Sequence, residues 1–255
     1  MGGSGNRDEA LNVLELFAGA GGGIQAAGLL GHRVVCAVEK DAFCREVLMA
    51  RQEDGTTPPF PIWDDARTFD GKPWRGTVDV VSAGFPCQPF SEAGKQKADK
   101  DERNLWPDTL RIIRDVRPRI VFLENVPRLV RLYLPRVLGD LAESGYDAEW
   151  CVLGAEQVGA PHSRKRLWIY ALAHADSKRG RGGNAGRKNA ADAGEPPGSP
   201  RGYAGRVVPW NTEPAVGRVA NGVAHRVDRL AALGNGQVPQ CYAAAWRLLE
   251  QRMST

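Results

Sequence analysis

The strongest constraint on the fold is an alternation that runs through roughly the first 170 residues: short apolar runs, each followed by a stretch with helical spacing. Asn12–Phe17, Arg33–Glu39, Val78–Ser82 and Arg119–Glu124 are short and rich in Val, Ile, Leu or aromatic residues, as strands buried on both faces are. Asp147–Leu153 and Leu167–Ala171 are weaker strands of the same kind. Between the runs, Ile24–Leu30, Asp41–Arg51, Asn104–Val116 and Pro127–Ser144 read as helices, and Asp41 is a natural N-cap. A closing helix is predicted over Val238–Arg252. Strand alternating with helix predicts a doubly wound α/β fold, a mostly parallel sheet covered by helices on both faces. No internal repeat is apparent.

The chain has 255 residues, 42% of them hydrophobic, which is enough to build a core over one or two domains. Its apolar runs are too short to span a bilayer, and no charged start leads into an apolar segment, so neither a membrane span nor secretion is expected. Five cysteines without a CxxC pair argue against a disulfide framework or a zinc site, and for a reducing, cytoplasmic setting. Nothing else has metal-ligand spacing. The net charge of +4 permits nucleic acid as a partner without demanding it. Residues 1–10, opening on Met1-Gly2-Gly3-Ser4-Gly5, read as a flexible leader. Ala175–Arg206 changes character: eight Gly and seven Lys or Arg stand against three acids, with Tyr203 the only large apolar residue. That stretch cannot build a core of its own, and reads as a linker, as a basic segment that orders on nucleic acid, or as both. Order is expected to return at Val207.

Three features carry chemistry. Phe17-Ala18-Gly19-Ala20-Gly21-Gly22-Gly23 is a Gly-rich turn between a strand and a helix, where a ligand can approach the backbone. The dinucleotide fingerprint would need Gly at position 24, where Ile24 stands, and the GxxxxGK[ST] phosphate loop is absent. Glu39 ends the next strand, where an acid can accept both hydroxyls of a ribose. Loop and acid together favour a nucleoside-bearing cofactor. Second, Cys87 sits between Pro86 and Pro89 in a loop after the third strong strand; the prolines stiffen the loop, and Lys95, Lys97, Lys100 and Arg103 follow. A thiolate nucleophile needs such exposure and nearby positive charge. Third, Glu124 ends the fourth strong strand, where an acid is costly unless it has partners or a task. In an open parallel sheet, ligands bind outside the carboxyl ends of the strands, and all three features fall there.

With these residues in place, the sequence resembles the cytosine carbon-5 DNA methyltransferases. The match runs in order through LELFAGAGGG (14–23), VEKD (38–41), DDAR (64–67), GFPCQPFSEAGKQK (84–97), DERNLW (101–106), LENV (123–126), SRKRLW (163–168) and GNGQVP (234–239). The short variable segment and the closing stretch 217–239 look most like compact bacterial or phage-borne members. The resemblance implies the α/β fold of S-adenosylmethionine-dependent methyltransferases and a target cytosine flipped out of the duplex. Cys87 would attack carbon 6, and Glu124 would hold the base edge at ring nitrogen 3 and the exocyclic amine. Arg164 would clamp the base or orient Glu124, with Arg166 in support, and Pro86 and Asn125 would shape the pocket.

For the cofactor, the resemblance implies Phe17 packing on the adenine and Gly19, Gly21, Gly22 and Gly23 near the methionine part. Glu39 would hold the ribose and Asp65 the adenine amine. Gly84, Leu105 and Asn235 would complete the wall, with Ala18, Ile24, Lys40 and Ala66 beside them. Asn235 comes from far along the chain, so the last helix must return to the first strand's side of the sheet. Gln88–Arg103 would be a mobile loop closing over the base, with Gln88, Ser91, Lys95, Lys97 and Arg103 on the nucleic acid and Lys178, Arg179 and Arg181 on phosphates. The family usually carries Gln ahead of the two arginines; here His162 stands there without an assigned role.

The implied organisation is a catalytic domain from 11–172 and 217–255 with a small target-recognition segment, 173–216. That segment is short for the family and poor in strand-forming residues, so a short target or a relaxed preference is expected. The expected partners are double-stranded DNA and a cognate restriction endonuclease, and the expected state is a monomer. Two other readings remain in view: a methyltransferase acting on cytosine in transfer RNA, and a catalytically silent nucleic-acid-binding protein. A nicotinamide dehydrogenase is disfavoured by Ile24.

Overall fold

The computed structural model describes residues 10–86, 104–174 and 226–254. In chain order these form β1 (Asn12–Leu16), α1 (Gly22–Leu29), β2 (Arg33–Val38), α2 (Ala42–Glu53), β3 (Ile62–Trp63), β4 (Val80–Ala83), α3 (Trp106–Val116) and β5 (Ile120–Asn125). Then come α4 (Leu129–Leu132), α5 (Leu134–Glu143), β6 (Tyr146–Leu153), β7 (Arg166–Ala173), α6 (Arg226–Asn235) and α7 (Pro239–Met253). The strands join in one seven-stranded sheet, in the order β3-β2-β1-β4-β5-β7-β6. Its first five members pair in parallel; β7 runs antiparallel to both β5 and β6.

Both faces of the sheet are buried, which is why β1, β4 and β5 read as continuous apolar runs rather than as alternation. Val13, Ala37, Val80, Phe122 and Trp168 face one layer, together with residues of α1 and α7. Leu14, Leu16, Val81, Leu123 and Ile169 face the other, with residues of α3 and α5. On the first face Phe122 packs between Tyr242 and Trp246 of α7, with ring centroids 4.6 and 5.1 Å away. The last helix also lies against α1, so the chain does return to the first strand's side.

Local chemistry sets the ends of the elements. Asp41 caps α2 by accepting from the Cys44 amide at 2.8 Å. The single helix expected over Pro127–Ser144 is two pieces, α4 and α5, separated at Tyr133. Pro135 explains the break: it lacks an N–H, and its ring clashes with the carbonyl of the fourth residue before it. Neither β3 nor α6 was anticipated, and much of segment 173–216, with the return of order at Val207, lies outside the described residues.

Cys36, Cys44, Cys151 and Cys241 are packing residues, all buried, with burial pushing each thiol upward, to about 12, 12, 11 and 12 in turn. Among the described residues no helix is long and apolar enough to cross a membrane, and no group of acids, His and Cys is placed to hold a metal ion.

Candidate active site

The parallel strands deliver their carboxyl ends to one rim, and a cavity of 530 Å³ opens there. Chain leaving β1 enters the left-handed region at Phe17 (φ 56°), Gly19 (53°) and Gly21 (92°), turning sharply into α1. That turn brings the Gly19 amide to Glu39, at the end of β2: Gly19 N donates to Oε2 at 2.6 Å, and Asp41 N donates to Oε1 at 2.7 Å. Both oxygens of Glu39 are thus fixed by backbone N–H groups, and each keeps a second acceptor site. Lys40 pairs with Asp65 at 3.1 Å. The Arg67 backbone N–H, above all, holds the Asp65 carboxyl below its usual range.

At the end of β5, Glu124 pairs with Arg166 of β7, Nε to Oε1 at 2.9 Å. Burial pushes the Glu124 carboxyl up, while Arg166, Arg164 and the Gln237 amide pull it back. Asn125 beside it donates from Nδ2 to the Phe85 carbonyl at 2.9 Å, tying the end of β5 to the chain that leaves β4. This holds Phe85 and Pro86 at the cavity wall, and the next residue in sequence is Cys87.

Fourteen of the residues singled out from sequence line this one cavity: Phe17, Ala18, Gly19, Glu39, Lys40, Asp65, Ala66, Gly84, Pro86, Leu105, Glu124, Asn125, Arg166 and Asn235. Others stand elsewhere. Gly21, Gly22, Gly23 and Ile24 do not line it. Ile24 is core, and side chains at 22 or 23 would collide with the Gln237 backbone or the Glu15 carboxyl. The two arginines divide their work differently from expectation. Arg166 holds Glu124, whereas Arg164 donates to the Gly236 carbonyl at 2.7 Å and so pins the link between α6 and α7. The start of β7 explains this, because residue 166 is in the strand, in register with β6, whereas residue 164 precedes it and is not bound by the strand's alternation. His162 is exposed. Cys87, Gln88, Ser91, Lys95, Lys97, Arg103, Lys178, Arg179 and Arg181 lie outside the described residues.

The family model for C-5 cytosine-specific DNA methylases matches residues 11–195. The chain belongs to this family. Among its relatives, the Type II methyltransferase M.NgoMIV of Neisseria gonorrhoeae is 34% identical over 170 residues, covering 62% of this chain and 51% of that protein. M.HhaI of Haemophilus parahaemolyticus is 33% identical over 165 residues, covering 62% and 48%. The chain therefore spans about half the length of these relatives. Solved structures share the fold. The S. pombe Dnmt2 methyltransferase superposes with a TM-score of 0.53 at 23% identity, over 64% of this chain and 51% of that one. A putative DNA modification methyltransferase encoded within an E. coli prophage gives 0.53 at 24%, over 64% and 47%.

Membership of this methylase family implies S-adenosylmethionine as the methyl donor. The donor set fits that molecule: a ribose diol needs two acceptors, and Glu39 offers two oxygens already oriented. An adenine needs an apolar wall with an acceptor beside it, and Phe17, Val38 and Asp65 stand together in the cavity.

Sequence reading missed Gln237, Glu15 and the Asp228, Ala231 and Ala232 face of α6. Gln237 and the α6 residues line the cavity; Glu15 is buried behind it. Gln237 stood inside GNGQVP, and Glu15 is an acid in the middle of an apolar strand, the same signal that exposed Glu124.

Proposed function

We propose that this chain methylates carbon 5 of a cytosine flipped out of double-stranded DNA, using S-adenosylmethionine. One observation carries the reading: a single rim holds a preset diol acceptor, Glu39, and a half-buried, Arg-paired carboxyl, Glu124, with Phe85-Pro86 between them leading directly to Cys87.

Glu39 would hold the ribose, Phe17 and Asp65 the adenine, and Gly19, Gly84, Leu105 and Asn235 the remaining wall. The Cys87 thiolate adds to carbon 6 of the base, forming a C–S bond and moving the double-bond electrons toward carbon 5. Glu124, with its carboxyl raised by burial, offers its proton to ring nitrogen 3 and accepts from the exocyclic amine, which offsets the charge that the addition creates. Arg166 keeps that carboxyl facing the base. S-adenosylmethionine, when bound, supplies an activated methyl group to the nucleophilic carbon 5. Loss of the carbon-5 proton to a base then returns its electron pair to the ring and expels the Cys87 thiolate.

The division into a catalytic body (11–172 and 217–255) and a target-reading segment (173–216) belongs to the same proposal. It is supported by α7 packing back on α1 after the segment. So does a restriction endonuclease of the same target as partner, since M.NgoMIV and M.HhaI are named Type II methyltransferases. The test is base-resolution methylation sequencing of a plasmid propagated with the protein, in a host without cytosine methylation of its own. Methylcytosine in a fixed context, absent with Cys87→Ala although that variant still binds S-adenosylmethionine, is the expected result. Methylation that persists in Cys87→Ala overturns the covalent step. None at all from folded, cofactor-binding protein overturns the DNA substrate.

A further inference from the structure

Glu124 is gripped on one oxygen by Arg166, and something must hold the other if the carboxyl is to face a base in one orientation. The candidate arrives from the far end of the chain. The link between α6 and α7 threads between the Gly-rich turn and the end of β5. Gly22 lets it pass, because a Cβ there would strike the Gln237 carbonyl, and Arg164 pins the link from the other side through Gly236.

The Gln237 side chain then lies between two carboxyls. A point 2.9 Å from its Nε2, where a Cβ on Gly84 would sit, is 3.1 Å from Glu124 Oε2. A Cβ on Gly23 would stand 2.7 Å from Gln237 Oε1 and would collide with Glu15 Oε1. The amide nitrogen therefore faces Glu124, and the amide oxygen faces Glu15. Gln237 Oε1 is buried and meets no donor among the described residues, and Glu15 Oε2 is likewise buried without a partner. A buried amide oxygen that lacks a donor and faces a carboxyl is satisfied when that carboxyl carries a proton.

We propose that Gln237 is a positioning residue whose amide couples Glu15, buried behind the site, to Glu124 on the rim. The role is stated for the methyl transfer proposed above and rests on that reading. Glu15 can supply the proton. Burial, aided by the charge of Glu124, pushes its carboxyl up to about 8, while Ser82 draws it down. The groups that face it are Ser82 from β4, Glu124 from β5 and Tyr242 from α7; Arg164 and Arg166 face Glu124. With the proton present, Glu15 donates to Gln237 Oε1, the amide cannot flip, and Nε2 stays on Glu124 Oε2. Once Glu15 ionises, the amide nitrogen is drawn to Glu15 and its oxygen turns on Glu124, which misorients the catalytic carboxyl.

The full-length wild type, Gln237→Met and Glu15→Gln decide this. Gln237→Met keeps the length and removes both polar ends. Its kcat should fall about tenfold or more with the KM for DNA within about twofold, because only transition-state orientation is lost. A rise in KM at constant kcat overturns the proposal. Glu15→Gln keeps a donor at every pH, so the ratio of its kcat to that of wild type should rise about fivefold between about pH 7 and 9. A ratio independent of pH overturns the proposal, and this arm stands should Gln237→Met not fold. Carboxyl carbon-13 NMR of the free protein is the readout that needs no turnover. Loss of the amide donor should raise the Glu124 midpoint in Gln237→Met, and an unmoved midpoint overturns the coupling. If the wild type methylates no cytosine, the functional reading falls, while the carboxyl titration still decides the coupling.

Discussion

Glu39 is a carboxylate whose geometry is set before any ligand arrives. Two backbone amides fix its oxygens, at 2.6 and 2.7 Å, so little ordering remains to oppose binding of a diol. Hydrogen bonds to a charged group are each worth about 1.5–3 kcal/mol, so Glu39→Ala should weaken S-adenosylmethionine binding by about tenfold or more. Isothermal calorimetry on folded variant reads this directly, and an unchanged affinity removes Glu39 from the ribose. At this scale the sequence was legible where a chemical type stood out against its surroundings: Glu39 ends a strand, and Glu124 interrupts an apolar run. Glu15 interrupts β1 in the same way and is buried to 1% exposure, but it precedes the strand's carboxyl end, where the Gly-rich turn carries the stronger ligand signal. The partner of Glu124 could not be read from spacing. Arg164 and Arg166 are both basic, and only the start of β7 between them decides which one faces the sheet rim.

Elements position the site through buried polar contacts that periodicity does not report. The start of α3 is an example: Leu105 there lines the cavity, and its neighbours tie it to α5. Trp106 Nε1 donates to Asp140 Oδ2 at 2.8 Å, Arg136 Nε reaches the same oxygen at 2.9 Å, and Asn104 Nδ2 donates to the Tyr133 hydroxyl at 3.2 Å. Trp106 and Asp140 are both buried, so losing the carboxylate strands an indole N–H in the core. Asp140→Ala should therefore cost about 1–3 kcal/mol, read as a lower urea midpoint at unchanged slope, and Asp140→Asn should cost less because it keeps an acceptor. A midpoint equal to wild type for Asp140→Ala would show that α3 is held by apolar packing alone. The elements themselves were largely legible, since β1, β2, β4, β5, α2, α3 and α7 each carry a long or strongly patterned run. What escaped was short or broken by one residue: β3 has two residues, and Pro135 splits a continuous apolar pattern into α4 and α5.

Across the whole molecule, the sheet order gathers Glu39, Glu124 and the α6–α7 link on one edge, although they come from positions 39, 124 and 234–237 of the chain. Under the proposed function, the chain between β7 and α6 would be one of the stretches to meet the duplex beyond the flipped base. Its basic tract, Lys178–Arg187, suits phosphates better than base edges, because it carries four Lys or Arg against a single planar amide, Asn184, and no carboxylate. Phosphate contacts and base contacts leave different signatures. Each phosphate neutralised adds about 0.9 to the slope of log affinity against log salt, and it carries no sequence information. Replacing Lys178, Arg179 and Arg181 together by Ala should therefore lower the salt slope of duplex binding by about 2–3 and leave the methylated context unchanged. Fluorescence anisotropy across a salt series gives the first quantity and methylation sequencing the second. A constant slope would take these three side chains off the DNA, whereas a changed context would make them readers of sequence and move target selection into the basic tract itself.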